Sequence, residues 1–494
     1  MSKIKNMSVA NLEADIVVIG GGGAGLPAAT TAAEGGAKVI VLETLRTLGG
    51  NGSRAGGLWA VESPAQKRIG EFYSRDQAFI DKMNYSNWTV DPRVVRAHIN
   101  VSSEVIQWLE NKGLIFDSVH AFASIYPRGY HSFRPGKDGQ RIGGGARIME
   151  ALAKECEKLG VKIITDTAGK KLVTDKAGKI TGVVAVSNGK EIKIKTKAAI
   201  IAAGGFSGNK EMLDKYLPTR GFRLSLSLPH KGEGILMAEE AGAVVDDCVT
   251  TFFIGPHHYP YTGSLNRLLR RPEMLHVNNR GERFSDESLF VERLNLTGNP
   301  LVRQPGEICY GLMDTATLQN LIKTKEGHGG FGAGDLSWLD EVKDDFKIDI
   351  KKGVAKAADT WEEIAKFIGA KPEVLKATVE QYNTYCDNGY DYDMIKDNKY
   401  LFPLRKPPFY AVLGRNGFDA TFGGIKINER MEVINKQFDP IPGLYAAGNN
   451  AGSAINVNYH PMHAGTSMSF AVCSGYMAGK SAANYVLKKN KQDD

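Results

Sequence analysis

The chain has 494 residues, 42% of them hydrophobic, which is enough for a large core and for more than one domain, since single cores stop growing well below this length. Its 62 Lys and Arg against 55 Asp and Glu give a formal charge of +7, spread along the chain and not gathered in basic blocks, which argues against a nucleic-acid partner. The five cysteines (Cys156, Cys248, Cys309, Cys386, Cys473) lie far apart, without the paired spacing of metal, iron–sulfur or c-type haem sites, so reduced thiols and no metal are expected.

The opening MSKIKNMSVANLEAD has neither an apolar core nor a twin-arginine pair, and no later stretch stays apolar for about 18 residues. A cytoplasmic chain without a transmembrane segment is expected. Asp15 to Ile19 (DIVVI) reads as a buried strand leading into GGGGAG and an Ala/Thr-rich helix over Leu26 to Glu34. Lys38 to Leu42 (KVIVL) reads as a second strand ending on Glu43, so residues 15–43 form a βαβ unit with parallel strands. Residues 145–165 turn from helical to β-like, and Lys170 to Ile201 alternates as antiparallel strands do. From about 225 to 405 the texture changes, with a helical stretch opened by the capping pair Thr360 and Glu363. Gly-rich, strand-like sequence returns from Phe409. The expected architecture is α/β: a discontinuous Rossmann-like domain (1–225 and 406–494) with an inserted α+β capping domain (226–405).

Gly20, Gly22 and Gly25 satisfy G-x-G-x-x-G between a strand and a helix, where the glycines permit a tight turn, approach of backbone to a pyrophosphate, and close helix–strand packing. The helix N-terminus then faces negative charge, and Glu43, closing the second strand, is placed to accept from a ribose hydroxyl. Three further glycine-rich segments, Leu48 to Gly57 (LGGNGSRAGG), Ile200 to Asn209 (IIAAGGFSGN) and Ile441 to Asn449 (IPGLYAAGN), select FAD over NAD.

With these segments, and with Gly232 to Ala243, Val277 to Glu287 and Phe422 to Asn428, the chain resembles the flavoprotein superfamily of fumarate reductases, succinate dehydrogenases, urocanate reductases and 3-ketosteroid Δ1-dehydrogenases over nearly its whole length. The resemblance implies that Asn51, Ser53, Gly56 and Gly57 approach the pyrophosphate and flavin, with Ala203 and Gly204 in the second segment. It places Gly448 and Asn449 at the ribityl chain, and Thr466, Ser467 and Met468 with backbone amides at the flavin pyrimidine ring. Covalent members attach FAD through a histidine in the segment that reads NGSRAGG here, so noncovalent FAD is expected.

Soluble fumarate reductases resemble one another in an H-H-T-x-G-G junction, an H-P-T cap segment and two substrate-clamping arginines. The corresponding positions here hold Asp419 to Gly424, Phe252 to Pro256, Val291 (with Arg293 two residues on) and Asn458 to Pro461. A C4 dicarboxylate substrate is therefore disfavoured. A tyrosine in place of the last arginine is similar to the 3-ketosteroid Δ1-dehydrogenases, and Tyr459 is the leading catalytic candidate: proton donor to the α-carbon of an enone whose β-carbon takes hydride from flavin N5, or base in the reverse direction. Tyr459 also reads as a packing tyrosine, His460 and His463 as a proton relay or as hydrogen-bonding loop residues, and Asp419 as an orienting or a turn residue.

Two aromatic and basic loops are candidate cavity walls, offering Tyr126, Tyr130, His131 and Arg134 in the first and His257, His258, Tyr259 and Tyr261 in the second, though each also reads as surface. The expected function is FAD-dependent formation or reduction of a C=C bond conjugated to a carbonyl, with an unidentified electron partner. The alternatives are an unsaturated-carboxylate reductase clamping through Arg128, Arg134 or Arg293, an amine-oxidising relative, and a flavin electron carrier without a substrate of its own.

Overall fold

The computed structural model describes residues 11–121, 126–133, 144–217, 228–245, 250–253, 255–258, 260–293, 296–325, 336–455 and 459–490. Ile16–Ile19 and Val39–Leu42 are β-branched runs buried along their whole length, as strands covered on both faces must be. They pair in parallel, Ile16 with Val39 through Ile19 with Leu42. Around them forms a six-stranded sheet ordered Glu432–Ile434, Pro440–Ala446, Ala198–Ile201, Ile16–Ile19, Val39–Leu42, Lys162–Ile164, parallel except for the first strand. The α/β class and the βαβ unit read from the sequence hold. Ala198–Ile201, read as the end of an antiparallel meander, belongs instead to this parallel sheet, because all four of its residues are buried and none alternates to solvent.

Two helices pack on the sheet through small residues. A Cβ on Gly475 would collide with the Ala24 carbonyl, one on Gly479 with Ala28 and Thr31, and one on Gly35 would lie 3.0 Å from Ala483. Contacts that ascend together in both sequences mean that Gly25–Glu34 and Thr466–Asn490 run parallel, with their N-termini at the same end. That end is the C-terminal edge of the parallel strands, where ligands bind in open α/β sheets. Thr167–Thr174, Ile180–Ser187 and Lys190–Lys195 form an antiparallel meander, joined in parallel by Asn11–Glu13.

A separate antiparallel sheet is ordered Leu275–Val277, Ile308–Met313, Phe409–Arg415, Ala355–Ala358, and its core is shared with the helices Trp361–Ile368 and Pro372–Asn388. Phe409–Arg415 thus lies inside the inserted sheet and not in the returning segment that begins at 406. Its alternating burial fits either place, and only its pairing with Ile308–Met313 and Ala355–Ala358 decides. Thr250–Phe253 pairs with Phe418–Phe422 at the junction. Among the described residues, no helix is long and apolar enough to cross a membrane.

The inserted region is pinned by a buried ionic network. Glu287 accepts from Arg283 Nη2 (2.9 Å), Lys396 Nζ (3.0 Å) and the His276 amide (3.0 Å), while Arg283 Nη1 reaches Asp391 at 2.7 Å. Burial alone would raise the Glu287 pKa, yet Lys396 and Arg283 hold its carboxyl well below the usual carboxylate range. Removing one partner of a buried ion pair typically removes about 3–5 kcal/mol. Glu287→Gln is therefore expected to lower the unfolding free energy read from urea denaturation by that order at pH 7, and a change below about 1 kcal/mol would mean that the network holds nothing together.

Candidate functional site

The first turn after Ile16–Ile19 is built for glycine. Gly20 sits at φ +109° with its amide on the Leu42 carbonyl (2.8 Å), and a Cβ on Gly25 would collide with the Gly20 carbonyl oxygen. A Cβ on Gly22, by contrast, would meet nothing closer than Gly49 at 3.7 Å, leaving backbone open to a ligand. The Gly25–Glu34 helix has no side-chain cap and no acidic residue in its first turn, so its N-terminal amides and dipole are available to an anion. Met468, in the first turn of Thr466–Asn490, places Sδ where it would lie 3.5 Å from a Cβ on Gly23, so the two helix starts converge. Gly448 (φ +65°) completes the cradle against Ala24, its amide donating to Ser474 Oγ at 2.9 Å. These open backbone surfaces and paired helix starts fit a dinucleotide pyrophosphate.

Glu43 is buried and accepts from the amides of Gly21 (2.7 Å) and Leu45 (2.8 Å), which fixes its carboxylate at the turn. Asn51 accepts from the Leu228 amide (2.8 Å) and meets His230 Nε2 at 3.0 Å. His230 packs on Gly204, its ring 2.9 Å from where a Cβ would be, and burial lowers its pKa even with Glu43 nearby. Ala203 is partly buried beside it, and Ser53 lies against Gly49. The sequence reading missed His230, since nothing in LPHKGEG distinguishes it from a loop histidine.

Tyr459 is 6% exposed and its ring stacks on Phe422 at 5.6 Å. Its hydroxyl faces the start of the Thr466–Asn490 helix, with the Ser467 amide at 3.5 Å. Burial pushes its pKa up to about 12, against the amides of Ser467, Gly465 and Thr466, which lower it, and with Asp419 adding to the rise. Tyr130 lies in the same pocket: its hydroxyl would be 2.5 Å from a Cβ on Gly56, its ring 2.8 Å from one on Gly465, and burial with Tyr459 nearby raises its pKa. The structure thus brings Tyr459, Tyr130, Gly56, Gly57 and the Thr466–Met468 turn together.

Behind them lies a cluster of buried bases. The His463 ring lies tilted against Trp59 (4.3 Å between centroids) and stacks on His460 (4.5 Å). Tyr73 Oη donates its one proton to Asp81 (2.7 Å), so the His463 Nε2–H donates to Tyr73 Oη at 2.8 Å. His98 Nε2 pairs with Ser469 Oγ (2.8 Å), and His460 Nε2 donates to the Asp81 carbonyl at 3.1 Å. Burial, with Lys82 beside them, drives His98 and His460 down to about 3 and His463 well below its ordinary value, so all three are neutral. Lys82 itself is buried with no hydrogen-bond partner.

Other candidates lie elsewhere. Tyr126 packs with Val291 and Tyr400. Arg128 is mostly exposed, 4.0 Å from Glu71. His131 bonds to Ser63 Oγ (2.6 Å) and the Gly129 carbonyl (2.8 Å), and His258 to Asp349 (3.1 Å) and the Leu413 carbonyl (2.6 Å), both as packed residues. Tyr261 packs on the core of the inserted sheet. Arg134, Tyr259, Cys248 and Asn458 lie outside the described residues. A buried arginine that the sequence reading did not single out, Arg270, donates to His257 and to the Pro256 carbonyl (3.4 Å) and feels Asp419.

Two outcomes are expected. Gly25→Ala, by overpacking the turn, lowers FAD affinity about tenfold or more, read from the flavin-to-protein absorbance ratio after dialysis; full retention would remove Gly25 from the cradle. The unfolded chain takes up protons at histidine near pH 6.5, whereas folded His98 and His460 do not until about 3. Their contribution is therefore complete above about pH 6.5 and declines as the pH falls toward 3. The fall in Tm between pH 7 and 4.5 shrinks in His98→Gln; an unchanged slope would show that His98 titrates normally.

Residues 15–469 match the family model described as FAD binding domain. The chain is similar to the vinyl phenol reductase of Lactiplantibacillus plantarum, 31% identical over 496 residues that span 96% of this chain and 97% of the relative. It is also similar in structure to the open conformation of a flavocytochrome c3 fumarate reductase (TM-score 0.76, 26% identical, 96% of this chain and 79% of that one). A third likeness is to the 3-ketosteroid-Δ4-(5α)-dehydrogenase of Rhodococcus jostii in complex with 4-androstene-3,17-dione (TM-score 0.73, 26% identical, 96% and 97%). The chain belongs to the FAD binding domain family and is an FAD-dependent oxidoreductase.

Proposed function

We propose that the chain reduces the C=C bond of an uncharged, conjugated, oxygen-bearing substrate, an enone or a vinyl phenol, with Tyr459 as the proton donor. The observation that carries this reading is the buried Tyr459 hydroxyl beside Tyr130 and the Gly465–Ser467 amides. With its pKa near 12, Tyr459 holds its proton throughout the physiological range, which favours donation and hence reduction over desaturation. Bound FAD, held noncovalently in the glycine cradle, supplies the hydride. Tyr459 delivers the accompanying proton and recovers it from solvent, so that two electrons and two protons are added in all. Tyr130 limits the approach of the substrate ring, and the inserted region, 226–405 together with Phe409–Arg415, excludes water by covering the site.

The names of the relatives support an unsaturated substrate, and that of the vinyl phenol reductase supports an uncharged aromatic one. A second reading, reduction of an α,β-unsaturated carboxylate, is favoured by Arg270, a fully buried cation near Asp419 whose pKa burial lowers to about 10.

The test is anaerobic. The flavin of the holoenzyme is reduced and mixed with an enone, a vinyl phenol, fumarate or a cinnamate, and the return of oxidised flavin absorbance is followed. Reoxidation by the enone or the vinyl phenol, at a rate flat from pH 6 to 9 and slowed ~10²–10⁴-fold in Tyr459→Phe with FAD retained, is expected. Reoxidation by the acids alone would replace this reading with the carboxylate one.

A further inference from the structure

His230 joins parts of the cradle that lie far apart in sequence. Its ring covers Gly204, where a Cβ would lie 2.9 Å from both Cε1 and Nδ1, so the space that a side chain at Gly204 would need is filled by imidazole. Its Nε2 is 3.0 Å from Asn51 Nδ2, and the Glu43 carboxylate acts on its charge. At Gly204 the second glycine-rich segment therefore presents an imidazole in place of bare backbone.

The loop that carries this ring is tied to the same segment. The His230 amide donates to Ser207 Oγ (3.3 Å) and its carbonyl accepts from the Gly208 amide (2.7 Å). The Gly232 amide donates to the Gly205 carbonyl (3.1 Å), and Asn209 Nδ2 to the Lys231 carbonyl (2.9 Å). A group held in this way costs little to order when a ligand arrives.

The position of the ring proton follows from its partners. Asn51 Oδ1 accepts from the Leu228 amide at 2.8 Å, so the Asn51 group that faces His230 is the NH2, a donor. Burial lowers the His230 pKa and keeps the ring neutral, and a neutral ring that accepts at Nε2 carries its hydrogen on Nδ1. That N–H has no partner among the described residues. It is not sealed either: the buried polar atoms left without partners are others, and His230 is partly exposed.

The surroundings mark which end of the cofactor the ring faces. Glu43, whose place at the end of the second strand suits a ribose hydroxyl, is the charge that acts on it. The strand Thr167–Thr174 starts beside Glu43, whose carbonyl accepts from the Thr167 amide (2.8 Å), and Lys170 of that strand reaches Glu233, just beyond the His230 loop, at 2.6 Å. Tyr130 and Tyr459, at the flavin end, keep company with Gly56 and Gly465 instead.

We propose that His230 is a cofactor-binding residue, its Nδ1–H donating to an oxygen of the adenosine-diphosphate half of FAD, either a ribose hydroxyl or a phosphate oxygen. The contact forms with FAD itself and is independent of the alkene reduced.

Two substitutions separate the two ring nitrogens, since an Asn amide nitrogen falls near the place of Nδ1 and a Gln amide oxygen near that of Nε2. The dissociation constant of FAD from the holoenzyme, and those of ADP and adenosine competing with it, are read from the FAD retained at equilibrium dialysis. His230→Gln, which keeps an acceptor for Asn51 and loses the Nδ1 donor, is expected to weaken FAD and ADP by the same factor, about 10-fold. His230→Asn, which keeps the donor and loses the Asn51 bond, is expected to bind FAD within about threefold of wild type. Adenosine weakened along with ADP would assign the contact to the ribose, and adenosine unchanged would assign it to a phosphate. Unaltered FAD binding in His230→Gln would overturn the proposal. So would a loss of FAD affinity with ADP unchanged, which would put the contact on the flavin half, or a loss in His230→Asn as large as in His230→Gln, which would make the ring a prop for Asn51 alone.

Discussion

The close parallel crossing of the Gly25–Glu34 and Thr466–Asn490 helices is the constraint on which the rest depends. Gly475 and Gly479 face Ala24, Ala28 and Thr31 with no room for a side chain, so the two axes approach to backbone contact and cannot slide. Because they run parallel, both N-termini arrive at one edge of the six-stranded sheet. Their dipoles then add at one place, where an ordinary antiparallel pair would cancel them. The first helix start offers amides to a pyrophosphate. The second offers amides to whatever lies beyond it, and in the structure those of Gly465, Thr466 and Ser467 act on the Tyr459 hydroxyl. The cradle and the chemistry are therefore two ends of one packing decision, taken some 450 residues apart in the chain.

Electrostatically the site is unusual in what surrounds Lys82. Three histidines face one ammonium, and none is charged, because burial makes a second positive charge too unfavourable. The Asp81 carboxylate already accepts from Tyr73 and Gln77. In the inserted region Lys396 and Arg283 are buried too, but Glu287 and Asp391 are buried with them, so each of these four charges has its counter-charge.

How much of this was legible in the sequence follows from the kind of signal. The parallel strands and the first turn were readable because their physics is local: continuous β-branched burial, and glycines whose spacing only a tight strand–turn–helix requires. Phe409–Arg415 was not, because burial alternating along a strand says nothing about which sheet it joins. Tyr459 and Tyr130 were readable as candidates through resemblance, but their proximity was not, since 329 positions separate them and only the Gly56 and Gly465 contacts bring the rings together. His230 and Arg270 left no local trace. Lys82 did leave one: RDQAFIDKMNY puts Ala78, Lys82 and Met83 on one face, and a lysine on an apolar face is itself a signal.

In the proposed reading, exchanging arginine for tyrosine at position 459 changes more than the proton donor. A guanidinium that clamps a carboxylate binds ground state and transition state alike, and it demands a charged substrate. A buried phenol demands no charge from the substrate and acts chiefly when the proton moves. Recognition must then come from elsewhere than a charge at position 459; the longer YHPMHAG loop there places His460 and His463 between Tyr459 and the helix start.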